Sequence, residues 1–442
     1  MPVVTRARRD VSGTGGPAAN ERGVASGGNT GTRGEGSAES RCLEALVVAV
    51  HQASEIRRWY TVTNELQVAS LQLCEACRGA QTAHLRVDGG IPASLLAAVD
   101  TPHAKPEGGV SSRVPRLRAR RVRWLLPSLS LLCNATYTFA QLEELYIGDT
   151  FDRSLVPQAW PCRLTKIQFG VRSRFNQPIV EVVWPASLQK LSFGRRFNQP
   201  VEGVVWPASL EKLRFWDDFN QPIRDVWWPP SLQQLTFGYE FNRPIDGVVW
   251  PSSMLELNFL GKFNQPIDGV KWPIGLRLLT FGHAFNQLVQ GITWPTSLRQ
   301  LTFGFMFNRA ITGVTWPTSL QQLTFGRHFN QPIDGVMWPP ALEDLTFGEN
   351  FNQPIQDVRW PSLRRLRLTG KFRQPLRNLG TVTPLLERFT LHFGFELTPY
   401  RLLHGIEWPG GLTHLAVNKS AHLDGISIPS SVSVDYITWC DW

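Results

Sequence analysis

Charge is scarce in this chain. Asp, Glu, Lys and Arg make up 18% of its 442 residues, against about a quarter in an ordinary globular protein. No apolar run reaches 18 residues, which excludes a membrane-spanning helix. Cysteine offers little scaffolding. Of Cys42, Cys74, Cys77, Cys133, Cys162 and Cys440, four fall in the first third of the chain, so no disulfide framework runs along it. Cys74 and Cys77 have the spacing of half a zinc site, but no second pair or nearby His completes it, and two thiols on consecutive turns of a helix are expected instead. No acid occurs between Glu107 and Glu143, while Arg113, Arg116, Arg118, Arg120, Arg121 and Arg123 crowd that stretch. The net charge of +9 is therefore partly local, and a nucleic-acid partner is not expected.

What is abundant is aromatic and periodic. With 17 Trp and 25 Phe, aromatics must fill much of the interior. Trp-Pro recurs every 22 residues, at Trp184, Trp206, Trp228, Trp250, Trp272, Trp294, Trp316, Trp338 and Trp360. A fixed period held this long means one supersecondary unit stacked on copies of itself, because an ordinary core imposes no such register. Imperfect units flank the strict region. Trp160-Pro161 lies 24 residues before Trp184, Phe372 follows Phe351 after 21, and the pattern fades through Trp408-Pro409 to Ile428-Pro429.

Within a unit, Leu191 and Phe193 flank Ser192 in the alternation of a half-buried strand. Later units carry Thr236, Thr280, Thr302, Thr324 and Thr346 at the outward place, a residue that favours strands. Stacking predicts a parallel sheet, with the Trp residues forming a buried spine. A row of asparagines (Asn198, Asn220, Asn242, Asn264, Asn286, Asn308, Asn330, Asn352) follows the second Phe of each unit. Its place predicts a structural ladder of buried amides satisfying backbone groups at the turn. Gly203, Gly247, Gly269, Gly291, Gly313 and Gly335 recur where a turn with positive φ is expected, and Glu181 stands at that place unexplained.

The expected organisation is a disordered Gly/Ser/Arg-rich tail at 1–40, a helical segment at 41–100 (helices near 42–59 and 64–79), and a Pro/Gly loop with an Arg-rich linker at 101–139. The solenoid follows at 140–430, with a tail at 431–442. The fold class is thus a β-rich, leucine-rich-repeat-like solenoid with one parallel sheet, preceded by a short helical segment. The first 40 residues hold no apolar stretch fit for a secretory signal, so an intracellular, cytoplasmic location is expected. Arg6, Arg8, Arg9, Arg22 and Arg33 among Ser, Thr and Gly leave an organelle transit peptide open, with Asp10, Glu21, Glu35 and Glu39 against it.

Phe329-Asn-Gln-Pro-Ile333 and Phe351-Asn-Gln-Pro-Ile355, each followed by Trp-Pro and a Leu-x-x-Leu strand, closely resemble the FNIP repeat, a relative of the leucine-rich repeat. The resemblance covers 140–375 clearly and 376–430 weakly, with Trp where the family usually has Leu before the proline. It implies a solenoid of protein-binding character, with no catalytic residues, cofactor or metal. Some members join the repeats to a kinase domain or an F-box. No kinase signature is present, and Ile91-Pro-Ala-Ser-Leu95-Leu96 resembles an F-box start and this protein's own Trp-Pro-Ala-Ser-Leu equally. Whether 41–100 is an F-box-like module or a solenoid cap stays open.

The expected function is a non-catalytic scaffold that binds a protein partner through the strand face and the turn between Phe-Gly and Phe-Asn. That turn changes from unit to unit. Phe305-Met306, Tyr239-Glu240 and Arg327-His328 are the candidate contact residues, Phe305 and Met306 foremost as an apolar anchor. The alternatives are the substrate-recognition subunit of a ubiquitin ligase and, less favoured, a β-helix-type enzyme acting on polysaccharide through Asp217, Asp218 and Glu240.

Overall fold

The computed structural model describes residues 59–61, 84–86, 121–124, 142–156, 160–393, 400–418, 423 and 425–437. Each coil contributes one short strand to a single parallel sheet. The strands are β4 (Glu144–Ile147), β5 (Lys166–Phe169), β6 (Lys190–Ser192), β7 (Lys212–Arg214), β8 (Gln234–Phe237), β9 (Glu256–Phe259) and β10 (Leu278–Thr280). They continue as β11 (Gln300–Thr302), β12 (Gln322–Thr324), β13 (Asp344–Thr346), β14 (Arg365–Gly370), β15 (Arg388–Phe393), β16 (His414–Asn418) and β17 (Ser433–Ile437). Register follows the repeat, so Leu279 sits between Leu257 and Leu301, and Thr302 between Thr280 and Thr324.

Three further strands precede these: β1 (Trp59–Thr61), β2 (His84–Arg86) and β3 (Arg121–Trp124), with Arg121 paired to Glu144 of β4. The sheet therefore passes the expected 140–430 limits at both ends, into the stretches read as a helical segment and an Arg-rich linker and into the C-terminal tail. The cause at the front is the Val122 and Trp124 alternation within the Arg run, which suits a strand edge as well as a linker. The helices expected near 42–59 and 64–79 lie outside the described residues except for Trp59, which begins β1. The tail at 1–40 and the F-box-like stretch at 91–96 also lie outside them. Among the described residues, helix amounts to the short turns Leu379–Val382 and Tyr400–Leu403.

The interior is a set of aligned side-chain rows. Phe193, Phe215 and Phe237 stack along one row at 5.5 and 5.9 Å, and Phe197, Phe219 and Phe241 along a second at 6.2 and 6.1 Å. Within a coil the two rings lie closer, 4.1 Å for Phe193 and Phe197. The Trp spine stacks at 6.4 Å between Trp184 and Trp206 and meets the strand wall edge-on, Trp184 to Phe193 at 6.2 Å and 81°. Leu, Val and Ile rows complete the core. The Nε1 atoms of the Trp-Pro indoles, from Trp160 through Trp184 and its copies to Trp360, are buried and find no hydrogen-bond partner among the described residues, so stacking and apolar burial hold this spine.

Two glycine positions carry two different constraints. Gly313 has φ +76°, as expected for the turn before the Trp wall. Gly326 has a different constraint: a Cβ there would fall 1.9 Å from the carbonyl oxygen of Gly304, because successive turns touch backbone to backbone.

Candidate functional site: the turn stripe and strand face

The outward strand positions form a polar face. Lys166, Lys190 and Lys212 align across β5, β6 and β7, and Thr280, Thr302, Thr324 and Thr346 align across β10 to β13. Along one margin of this face run the variable turns. Their backbones form a ladder of their own: the N–H of Glu240 donates to Asp217 O at 2.7 Å, that of Met306 to His283 O at 2.9 Å, and that of His328 to Phe305 O at 2.9 Å. The frame is thus fixed while its side chains change.

Those side chains mostly engage the neighbouring coil. Arg195 Nε lies 3.2 Å from Asp217, and Arg196 lies 3.9 Å from Asp218. Lys262 Nζ lies 2.7 Å from Glu240 and 5.7 Å from the centre of the Tyr239 ring, and its pKa is raised chiefly by the Glu240 hydrogen bond. The Arg214 guanidinium sits 3.9 Å above the Trp216 ring; burial lowers its pKa, and nearby Asp217 opposes that shift. The three carboxylates weighed for glycoside chemistry, Asp217, Asp218 and Glu240, each face a base on an adjacent coil.

Around Phe305 the stripe turns aromatic. Its ring stacks on His283 at 4.4 Å and 8°, Arg327 Cζ lies 5.2 Å over it, and His328 approaches at 5.0 Å. Arg327 is in turn fixed by Glu349, its Nε 2.7 Å away. Phe305 is half-buried by these neighbours, whereas Met306 is exposed. The structure therefore brings Phe305, Met306, Arg327 and His328 into one cluster, with His283 added to it. Tyr239 and Glu240 form a separate cluster three coils away, with Lys262.

The asparagine row lies at the rim and not in the core: its amides are half-buried or exposed. Each side-chain carbonyl accepts the backbone N–H of the next asparagine, at 2.9 Å from Asn198 to Asn176, 2.9 Å from Asn264 to Asn242 and 2.9 Å from Asn352 to Asn330. The same contacts join Asn220, Asn242, Asn286, Asn308 and Asn330 to the coil before. The rim is where they sit because Asn follows the buried Phe, and the next outward position in an extended chain faces solvent.

Two further ladders escaped the sequence reading. Gln265 Nε2 donates to Asn242 Oδ1 at 2.9 Å and to the Asn242 backbone carbonyl at 3.2 Å, and where Arg243 or Arg309 replaces this glutamine its Nε donates to the backbone carbonyl of Asn220 or Asn286 at 2.8 Å. Ser209 Oγ lies 2.7 Å from the carbonyls of both Ala186 and Leu188. The signal was present, since Gln and Ser recur at fixed places, but recurrence alone does not name a partner. Among the described residues no group of His, Cys, Asp and Glu is arranged to hold a metal ion, and no helix is long and apolar enough to cross a membrane.

The FNIP Repeat profile matches residues 175–218, 219–262, 307–350 and 329–368. The crystal structure of CroV588, a circular leucine-rich-repeat protein, is similar over 72% of this chain with 32% identity and a TM-score of 0.56. This chain spans 50% of that protein's length. An internalin (InlF) from Listeria monocytogenes resembles it at 12% identity over 69% of this chain and 89% of the internalin, with a TM-score of 0.45. No curated protein matches the chain in sequence. With the repeat matched in register and the leucine-rich-repeat-like sheet in place, the chain carries FNIP repeats over 175–262 and 307–368.

Proposed function

We propose that this protein is a non-catalytic interaction scaffold that binds a protein partner through its strand face and turn stripe. The observation that carries the reading is the Phe305 cluster. On a frame where the neighbouring turns are dominated by ion pairs, one coil presents an exposed Met306 beside a ring packed by His283 and Arg327. A preorganised aromatic with an adjacent flexible thioether is the composition of a contact hot spot. The cross-coil pairing of Asp217, Asp218 and Glu240 supports the non-catalytic side of the reading, because a glycosidase needs its carboxylates directed at a sugar. The test is capture of partners by the full chain and by Phe305→Ser/Met306→Lys: specific partners retained by the double variant, with its melt unshifted, remove this cluster from the interface.

A further inference from the structure

The wall opposite the sheet carries an apolar row that the core does not use. The extended stretch entering each Trp-Pro step points Val204 and Trp206 inward and Val205 outward. The outward place holds Val183, Val205, Trp227 and Val249 on four consecutive coils, 79%, 77%, 87% and 77% exposed. A monomeric protein rarely leaves such a row in water, and an indole this exposed makes almost no contact with its own fold. The surface between coils is grooved here, with Trp227, Trp228, Val249 and Trp250 lining one groove, because the indoles hold the coils wider apart than the sheet does.

Charge and spacing decide the occupant. Glu181, Glu202, Asp225 and Asp246 flank the row, all exposed, and Arg224 is the single base beside them. Nucleic acid, an anionic membrane or a second copy of the same acidic wall would meet repulsion. Beneath the row, Trp184 and Trp206 lie 6.4 Å apart, as do Trp228 and Trp250. Two residues of an extended chain advance about 6.6 Å, so alternate side chains meet one coil each. A helix turn advances about 5.4 Å and falls about 3 Å short over three steps.

We propose that this wall docks an extended polypeptide segment of a partner, in which alternate apolar side chains seat on Val183, Val205, Trp227 and Val249 and intervening Lys or Arg residues reach the flanking acids. It is a second surface, independent of the turn stripe and strand face.

The test uses the full chain and a labelled heptapeptide of alternating valine and lysine with blocked ends, read by fluorescence polarisation. The expected result is saturable binding that weakens at least tenfold in Trp227→Ser and in Glu202→Gln/Asp225→Asn, and that falls with added salt. Trp227→Ser should melt as wild type does; Val249→Ser serves as the second variant if it does not. No saturable binding, equal binding of the valine-glutamate heptapeptide, or binding indifferent to both Trp227→Ser and Val249→Ser overturns the proposal. A dimer that Trp227→Ser dissociates, or quenching of Trp227 by a maltooligosaccharide in place of the peptide, also overturns it, assigning the wall to self-association or to sugar.

Discussion

The side-chain carbonyl of Asn264 accepts the backbone N–H of Asn286, one coil further on, at 2.8 Å. It also takes the side-chain amide of Gln287 at 3.1 Å, so one acceptor ties two donors of the next coil. Asn264→Ala should therefore cost about 1 kcal/mol and exceed Gln265→Ala, since only the former leaves a backbone N–H without its partner. Asn264→Asp should cost less than Asn264→Ala, because Asp152 accepts the same N–H from Asn176 at 3.0 Å. Equal denaturant midpoints for the alanine pair would refute the ladder.

The neighbouring position offers a control on donor chemistry. Arg243 Nε and Arg309 Nε reach the carbonyls that glutamine reaches elsewhere. Gln265→Arg should thus stay within about 0.5 kcal/mol of wild type and above Gln265→Ala in chemical denaturation. An arginine variant as unstable as the alanine variant would show that the amide itself is needed.

Gly326 and Gly313 separate two reasons for glycine. Gly313→Ala meets nothing within 4 Å and should lose only the left-handed backbone preference, about 1–2 kcal/mol. Gly326→Ala must push the Gly304 carbonyl away and should cost more, about 3 kcal/mol. A reversed order in the melting temperatures would mean that the turns are not in backbone contact.

His392 gives a pH signature. It is buried on β15, and burial lowers its pKa below 6.5, with Glu349 opposing that shift. The unfolded chain binds the proton more tightly than the folded one, so this residue's contribution is intact above about pH 6.5 and is lost as pH falls below that value. Urea midpoints at pH 7 and pH 5 should differ less in His392→Phe than in wild type. An unchanged difference would remove His392 as the cause.

These outcomes bear on how far the sequence was readable. The Phe, Trp and Leu rows were legible because a residue repeated at one register position must meet its own copy in the next coil. Recurrence told that Asn264 has the environment of Asn242 but not that this environment is the rim. The outward row of Val183, Val205, Trp227 and Val249 escaped notice because Lys271, Thr293 and Arg359 occupy the same place in other coils. Pairs such as Arg195 and Asp217 become visible only once residues 22 apart are set side by side. Strands β1 and β2 are accompanied by no Trp-Pro step and no Phe-Asn pair, so only three-dimensional pairing reveals them.

The claim that the turn stripe and strand face form the partner surface is tested most directly by hydroxyl-radical footprinting of the full chain, free and in complex with a purified captured partner. The account predicts protection of Met306, Phe305, His328 and Tyr239, with the outward threonines of β10 to β13 shielded beside them. Protection that spares all of these and falls elsewhere on the chain would contradict it.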